Sequence, residues 1–259
     1  MSKIVDYNCE AYKFYNLEWD TEYFGVNSAK AILNGSVTKK DQDELLNYCK
    51  DYNFITITNI NNNNHNNYWM SNIKNLFLTD VNIQFEKELH FSTECIDETT
   101  EINISYSKNE KVLNIAKNAF SFSRFFNDPF LESKKTQDIY LYWTECGFDK
   151  SDKYFVITKR ENEIAGYMLF SINVEDRTST IELIAVDDKF KGKKVGKSLV
   201  SGLESFLYRN NIKKIKVGTQ VNNVAAANFY FSNGFRYVNC NSVYHYWPSN
   251  DESKNNLID

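Results

Sequence analysis

The feature that most restricts the fold is an apolar strand that runs into a loop of lysines and glycines. The run "IELIAV" precedes "DDKFKGKKVGKSLV" (187–200), which places five lysines and two glycines between Lys189 and Ser198. Apolar residues at helical spacing follow, from Val195 to Leu207. A strand that enters such a loop and then a helix presents free N–H groups at the positive end of the helix dipole. The pattern predicts either an anion site or a solvated, lysine-rich helix start.

The elements around this loop predict an α/β chain. Apolar periodicity predicts a first unit with a helix at 39–52, a strand at 54–60, and one long strand or two short ones at 76–91. The polar tract 61–67 is a loop or a helix start, and 92–101 is a charged linker. From residue 108 the predicted order is ααβββαβαβ, with helices at 108–120, 131–146, 192–210 and 222–234, strands at 154–160, 165–174, 177–186 and 212–219, and a final hairpin or bent strand at 235–247.

These elements divide into an N-terminal α/β domain (1–100), a larger domain (101–250) and a disordered C-terminal tail (251–259). No internal repeat is visible in the sequence.

Composition narrows the function classes. Lys and Arg total 30 against 34 Asp and Glu, a net charge of −4, which argues against a general nucleic-acid binder. No apolar run reaches the length of a membrane span and no signal-peptide core begins the chain, so we expect a cytoplasmic protein without membrane contacts. Five scattered cysteines predict free thiols, and three distant histidines predict no metal site.

A second motif follows the loop. The segment "NNVAAANFYFSNG" (222–234) puts Asn223, Ala226 and Tyr230 on one helical face. Such a face fits either an extended ligand whose anionic end is held by the loop, or an ordinary core helix in which Tyr230 is a packed aromatic.

Together, "LIAVDDKFKGKKVGKSLV" and "NNVAAANFYFSNGF" resemble motifs of the GNAT superfamily of N-acetyltransferases. The resemblance implies a mixed central sheet flanked by helices, with acetyl-CoA as co-substrate. It assigns the pantetheine arm to the strand Leu183, Ile184, Ala185 and Val186, with Asn223 and Ala226. It assigns the pyrophosphate to the loop Lys191, Gly192, Lys193, Lys194, Val195, Gly196 and Lys197. It also implies that Tyr230 protonates the leaving thiolate.

One position departs from the family pattern, because Lys194 replaces its middle glycine. Lysine is tolerated there if the backbone is right-handed, whereas a positive φ would count against pyrophosphate binding.

Three segments, 17–32, 122–146 and 216–230, resemble a narrower group, the dTDP-fucosamine acetyltransferases. This resemblance implies acetylation of a dTDP- or UDP-linked 4-amino-4,6-dideoxyhexose for surface polysaccharide such as O-antigen, and a homodimer is one expected assembly. Two other classes remain open. One is acetyl transfer to another amine, such as a protein N-terminus or an antibiotic, and the other is a non-catalytic acyl-CoA-binding module.

The candidate base and acceptor residues each have two interpretations. Glu182 is either the general base or an exposed strand glutamate, and Glu86 and His245 are weaker candidates. Arg124 either pairs with a diphosphate or, with Asp128, ties the segment "SRFFNDP" together. Phe125, Trp19 and Phe24 either stack on the acceptor or fill the core.

Overall fold

The computed structural model describes residues 7–90 and 97–248, which fall into two compact units. Unit 1 comprises Met1–Asn82, Ser123–Lys135 and Asn239–Asp259, and unit 2 comprises Ile83–Phe122 and Thr136–Val238. This division differs from the predicted boundary at residue 100, because segment 123–135 and the end of the chain join unit 1. The predicted tail, and residues 92–96 of the predicted linker, lie outside the described residues.

Strands and helices alternate along much of the chain. The strands are β1 (Tyr7–Asn8), β2 (Tyr12–Asn16), β3 (Ser28–Leu33), β4 (Phe54–Asn59), β5 (Leu76–Glu88), β6 (Thr100–Ile104), β7 (Tyr154–Arg160), β8 (Glu163–Asn173), β9 (Thr178–Val186), β10 (Lys214–Gln220) and β11 (Arg236–Tyr246). The helices are α1 (Glu18–Phe24), α2 (Lys39–Cys49), α3 (Asn64–Met70), α4 (Glu110–Ala119), α5 (Ser133–Gly147), α6 (Val195–Arg209) and α7 (Val224–Ser232). Short 3₁₀ turns cover Ile60–Asn62, Arg124–Asn127 and Asp188–Phe190.

In unit 1 the strands follow the order β1-β2-β3-β4-β11. Strands β2 and β3 are antiparallel, β3 and β4 are parallel and joined through α2, and β4 pairs antiparallel with the second half of β11. Alternating apolar residues of these strands pack in one core with Leu45 and Met70 from the helices. The antiparallel pair thus leads into a β-α-β crossover.

In unit 2 the order is β5-β10-β9-β8-β7-β6. Strands β7 and β8 form the predicted hairpin, and its turn residues Glu161 and Asn162 both have the positive φ that a tight two-residue hairpin requires. Strands β9 and β10 are parallel and joined through α6, whose apolar face (Val195, Leu199, Val200, Leu203 and Leu207) is buried.

The two units repeat one topology. Each contains an antiparallel strand pair, a helix, a parallel strand and a second helix: β2-β3-α2-β4-α3 in unit 1 and β8-β9-α6-β10-α7 in unit 2. In each, the strand beside the parallel one comes from a distant part of the chain, β11 or β5. The sequence shows no repeat because topology requires only the order and apolar patterning of elements, not shared side chains.

Several elements differ from the sequence predictions. Strands β2 and β3 and helix α1 were not predicted, and β6 begins within the predicted linker. The polar tract 61–67 forms the end of a 3₁₀ turn and the start of α3, and the C-terminal segment is one long strand rather than a hairpin.

Candidate active site

Strands β9 and β10 separate at the point where β9 reaches the predicted ligand contacts. Their parallel register runs only from Thr178–Lys214 to Ile181–Val217, although both strands continue. On the other side of β9 the pairing with β8 slips by one residue, because Leu169 pairs with Leu183 and Phe170 with Ile181. Glu182 is therefore the extra residue of a β-bulge, a feature that re-aims a side chain. The separation leaves one edge of 182–186 available to pair with an extended ligand.

The loop before α6 contains two left-handed residues. Gly192 has φ +77° and open space around its Cα, and Lys194 has φ 60° and ψ 13°. The positive φ at Lys194 is the conformation that glycine tolerates best, so lysine costs ~1–2 kcal/mol there. By the sequence argument this positive φ counts against pyrophosphate binding, but the left-handed turn also directs successive N–H groups to one side, as in an anion-binding nest.

The helix start itself is open. Within the described part of the chain, the N–H groups from Lys194 to Lys197 have no hydrogen-bond acceptor, whereas Ser198 N–H donates to the Lys194 carbonyl at 3.0 Å. No side chain caps this helix N-terminus. Four convergent N–H groups at the positive end of a helix are the donor set that phosphate groups use.

The five lysines of the loop divide into two sets. Lys189 pairs with Glu163 at 3.0 Å, Lys191 with Asp188 at 2.6 Å and Lys193 with Glu161 at 3.6 Å. Lys194 and Lys197 are exposed and form no ion pair with any residue that the structure describes. The two lysines that flank the open N–H groups are therefore the ones available to an anion.

Helix α2 of unit 1 is the internal comparison, since it occupies the same topological position. Thr38 accepts from Asp41 N–H at 3.3 Å, and Asp41 accepts from Thr38 N–H at 2.8 Å, which completes a capping box. An intrinsic carboxylate thus occupies the anion position of α2. Of the two crossover helices, α6 keeps its start open for an external anion, which favours the ligand interpretation over a merely solvated helix.

Tyr230 lies two turns into α7, and its side chain is 3% exposed. Its ring packs against Phe85, Phe229 and Phe235. The ring is therefore part of the core, and the packing and ligand interpretations differ only in what the hydroxyl contacts. Burial raises the pKa of the phenol, and the hydroxyl has no hydrogen-bond partner among the described residues. With no such partner, the hydroxyl remains available to donate to a ligand.

Asn223 is the N-cap of α7 and accepts from Ala226 N–H at 3.1 Å. Its amide NH₂ remains for a ligand contact. In unit 1 the N-cap of α3 is Asn63, and the residue seven positions on is Met70 rather than tyrosine. Unit 1 therefore lacks both the open helix start and the phenol.

The candidate base Glu182 is largely buried between two donors. Lys153 Nζ forms a short ion pair with one carboxylate oxygen, and Trp143 Nε1 donates to the other at 3.4 Å. Sequence reasoning did not find these two partners, because only the β-bulge brings Glu182 to them. The weaker candidate Glu86 pairs with Lys214 at 2.8 Å.

The predicted acceptor residues all lie in unit 1. Asp128 accepts from His245 Nδ1 at 2.6 Å, Trp247 Nε1 at 3.0 Å and Phe130 N–H at 2.9 Å. These contacts favour the structural interpretation of Asp128. His245 is fully buried beside Phe54, as expected for a packed aromatic cluster, and this burial lowers its pKa to about 4.

Arg124 lies near Asp20 rather than Asp128, with its guanidinium 4.0 Å from the centre of the Phe125 ring. Phe125 and Phe24 are buried and in contact, so they fill the core of unit 1, whereas Trp19 is partly exposed and stacks on Tyr23. Three charged neighbours of Arg124 were missed: Asp20, Lys30 and Asp80. Asp20 stands in segment 17–32, where a polar residue among aromatics was the available signal.

No helix in 7–90 or 97–248 is long and apolar enough to cross a membrane. Those same ranges contain no cluster of three metal-ligating side chains. Cys9, Cys49, Cys146 and Cys240 are free, and Cys95 lies outside the described residues.

Comparison with known proteins identifies the fold. The Staphylococcus epidermidis structure of a functionally unknown conserved protein superposes with a TM-score of 0.64 at 12% identity, covering 95% of this chain and 94% of that one. A GCN5-related N-acetyltransferase from Sphaerobacter thermophilus gives a TM-score of 0.61 at 9% identity, covering 92% and 77%. At these identities the likeness concerns the fold alone.

Two curated relatives match parts of the chain. The spore coat polysaccharide biosynthesis protein SpsD of Bacillus subtilis (strain 168) is 28% identical over 142 residues, which is 55% of this chain and 48% of that protein. The N-acetylaspartate synthetase of Mus musculus is 28% identical over 90 residues, 35% of this chain and 30% of that protein. The chain thus spans about half or less of the length of these relatives.

The match to a family model covers the stretch that carries the site. Residues 119–235 match the model of the Acetyltransferase (GNAT) family, and this stretch contains the bulge of β9, the open start of α6 and Tyr230. The predicted fold class, a mixed sheet with flanking helices, is confirmed. Residues 119–235 are therefore similar to the Acetyltransferase (GNAT) family, whose model they match.

Proposed function

We propose that this protein transfers an acetyl group from acetyl-CoA to the amine of a nucleotide-linked 4-amino-4,6-dideoxyhexose, as a step in surface polysaccharide synthesis. The observation that carries the proposal is the uncapped start of α6, with its unpartnered N–H groups beside Lys194 and Lys197. Because acetyl-CoA is a cytoplasmic metabolite, we also propose that the reaction takes place in the cytoplasm.

The residues present suit acetyl-CoA. The N–H groups of Lys194–Lys197 would hold the pyrophosphate, and Gly192 leaves open space for its approach. The free edge of 182–186 and the Asn223 amide would bind the pantetheine arm. The bound thioester supplies an activated acyl carbon, and the protein's part is to position it and to manage protons.

Tyr230 would act on the departing sulfur. A phenol whose pKa is raised by burial keeps its proton at neutral pH, so it is present as a donor. The pKa of a thiol, ~8.5, is lower than that of the phenol, so full proton transfer from Tyr230 to a thiolate is uphill. The main contribution of Tyr230 is therefore a hydrogen bond to the sulfur as negative charge develops on it.

Proton removal from the acceptor remains open to two routes. Glu182 would serve as base once its contact with Lys153 loosens, since the ammonium now occupies one of its oxygens. A water chain would serve without a dedicated base, because a sugar amine is less basic than lysine.

The acceptor assignment is supported by the name of the SpsD relative, a spore coat polysaccharide biosynthesis protein, and by the resemblance of segments 17–32 and 122–146 to amino-sugar acetyltransferases. A second candidate acceptor is an amino acid, because the other relative is an N-acetylaspartate synthetase. We also propose a homodimer, with the exposed Phe231, Tyr237 and Val238 as the surface to test by light scattering.

The test is CoA release, followed with a thiol reagent, on acetyl-CoA with dTDP- and UDP-linked 4-amino-4,6-dideoxyhexoses. L-aspartate, a lysine-bearing peptide and an aminoglycoside serve as competing acceptors. Release that depends on one nucleotide sugar supports the proposal. Release with only one of the competitors keeps the acetyl transfer and discards the sugar, and acetyl-CoA binding without any turnover favours a binding module.

A further inference from the structure

Lys153 of unit 2 contacts the candidate base directly. It immediately precedes β7, and its Nζ forms an ion pair with one carboxylate oxygen of Glu182 on β9. Trp143 donates to the other oxygen at 3.4 Å, and all three residues belong to unit 2. An amine that gives its proton to a carboxylate must first lie within hydrogen-bonding distance of it. The Lys153 amine therefore already stands where Glu182 would receive the proton of an acceptor.

The thioester end of a bound acetyl-CoA would lie beside this pair. The pyrophosphate would be held at the start of α6, which follows the C-terminal end of β9. An arm paired with the free edge of 182–186 then runs back along β9, because the edge closes where Ile181 pairs with Val217 of β10. Five strand residues extend ~16 Å, a span that suits an extended pantetheine arm. The reactive end, which is furthest from the pyrophosphate, therefore arrives at Glu182.

A second lysine–glutamate pair of unit 2 provides a comparison. Lys108 Nζ lies 2.6 Å from Glu145 of α5, and the two side chains are 50% and 44% exposed. Lys153 and Glu182 are less accessible, with side chains 28% and 11% exposed. A reagent that arrives from solution therefore meets Lys108 more easily. A thioester bound along β9 would instead meet Lys153, so the two routes of acetylation predict opposite preferences.

We propose that Lys153 is an internal acetyl acceptor, acetylated on Nζ by the acetyl-CoA bound to the same chain, with Glu182 as the group that takes its proton. The inference rests on the proposed function for the binding of acetyl-CoA along β9 and at the start of α6. It does not depend on the identity of the external acceptor. The lysine, the base and the cofactor contacts all belong to unit 2.

The reaction forms one C–N bond and breaks one C–S bond. The Lys153 ammonium first loses a proton through Glu182 to solvent, because only the neutral amine is a nucleophile. The amine then attacks the acetyl carbonyl carbon, and the second nitrogen proton ends on the departing CoA sulfur. The products are acetyl-lysine, the CoA thiol and one proton. Since the new amide is uncharged, acetylation removes the ammonium from Glu182 and frees that carboxylate oxygen for the amine of an external acceptor.

The experiment incubates the purified full chain with acetyl-CoA that carries a deuterated acetyl group, without any other acceptor. Peptide mass spectrometry then measures the label on each lysine over time, with Lys108 as the control lysine in the same molecule. A trace of deuterated acetic anhydride, used in place of acetyl-CoA, measures how readily each lysine reacts from solution. The matched variants are Glu182→Gln and Glu145→Gln, since each removes the carboxylate partner of one lysine.

With acetyl-CoA, Lys153 should be labelled at least ~10-fold faster than Lys108, because the bound thioester is held beside it. Acetic anhydride should label Lys108 faster, because Lys108 is the more exposed. Glu182→Gln should slow the labelling of Lys153 by acetyl-CoA at least ~10-fold, and Glu145→Gln should leave it unchanged. Excess CoA should suppress the label on Lys153, and the first-order rate constant should stay the same when the protein is diluted.

The inference is overturned if acetyl-CoA labels Lys153 no faster than Lys108 in the wild type, which would mark the contact with Glu182 as a structural ion pair. It is also overturned if Glu182→Gln is labelled at Lys153 as fast as the wild type. A rate constant that falls on dilution would mean that another molecule carries the acetyl group, and would exclude internal transfer. Titration with acetyl-CoA separates the two proposals. Binding without label on Lys153 refutes this inference alone, whereas a failure to bind refutes the proposed function as well.

Discussion

The left-handed backbone at Lys194 gives the sharpest test of the loop geometry. Lys194→Gly and Lys194→Ala remove the same ammonium group, but only glycine relieves the positive φ of 60°. A left-handed residue other than glycine costs ~1–2 kcal/mol, and glycine returns ~0.4–1 kcal/mol of that through the entropy of the unfolded chain. The glycine variant should therefore be more stable than the alanine variant by ~1 kcal/mol.

The assay is paired thermal and urea unfolding of the two variants with the wild type. For a chain of this size, ~1 kcal/mol corresponds to about 2–4 °C in melting temperature. CoA affinity should be equal in the two variants, since both lose the same charge and keep the same N–H groups. Equal stability, or a more stable alanine variant, would show that residue 194 is not held in the left-handed conformation and would refute the reasoning.

Three further predictions follow from the site and the cores. Tyr230→Phe should lower kcat at least ~100-fold, because the proposed proton donor is lost. CoA affinity and melting temperature should change little, because the hydroxyl has no partner in the described residues. A large loss of CoA affinity in titration would contradict this prediction. Gly196→Val should weaken CoA binding ~10-fold or more, because the new Cβ would lie 2.8 Å from the Phe229 ring. A second substitution, Phe229→Leu, should restore part of the lost affinity. Unchanged affinity of Gly196→Val for CoA would exclude the loop as the phosphate site. The free energy of unfolding should fall by up to ~3 kcal/mol as pH drops from 6.5 to 4. Burial lowers the pKa of His245 from 6.5 to about 4, so in this window the unfolded chain binds a proton that the folded chain does not. In urea titrations at each pH, His245→Gln should make this pH dependence smaller.

The elements of unit 2 were predictable because their patterns are local. The amphipathic spacing of α6, the alternation of β10 and the turn before β8 each identify an element without knowledge of its neighbours. Strands β2 and β3 of unit 1 were not predicted, because Tyr12–Asn16 mixes aromatic and polar residues and Ser28–Leu33 contains a single β-branched residue. Their pairing with each other and with β4 makes them strands.

Site residues divide in the same way. The open helix start was predictable from Gly192, Gly196 and the lysines, whereas the partners of Glu182 depend on a one-residue slip in strand pairing. Asp20, Lys30 and Asp80 lie near Arg124 although they are distant from it in the chain, and no sequence spacing signals such long-range neighbours. Asp128 was grouped with Arg124 by sequence proximity, but its contacts lie with His245, more than a hundred residues away.

The central claim is that α6 binds CoA because its start is left open. The direct test transplants the capping box of α2 onto α6 as Lys194→Thr with Lys197→Asp, the N-cap and N3 positions that Thr38 and Asp41 occupy in α2. The control, Lys191→Thr with Lys193→Asp, makes the same charge change at two ion-paired lysines. Titration with CoA should show a loss of ~100-fold or more for the transplant and ~5-fold or less for the control, the difference corresponding to lost charge-assisted hydrogen bonds. Equal losses in the two double variants would mean that lysine charge alone attracts CoA, and would contradict the account.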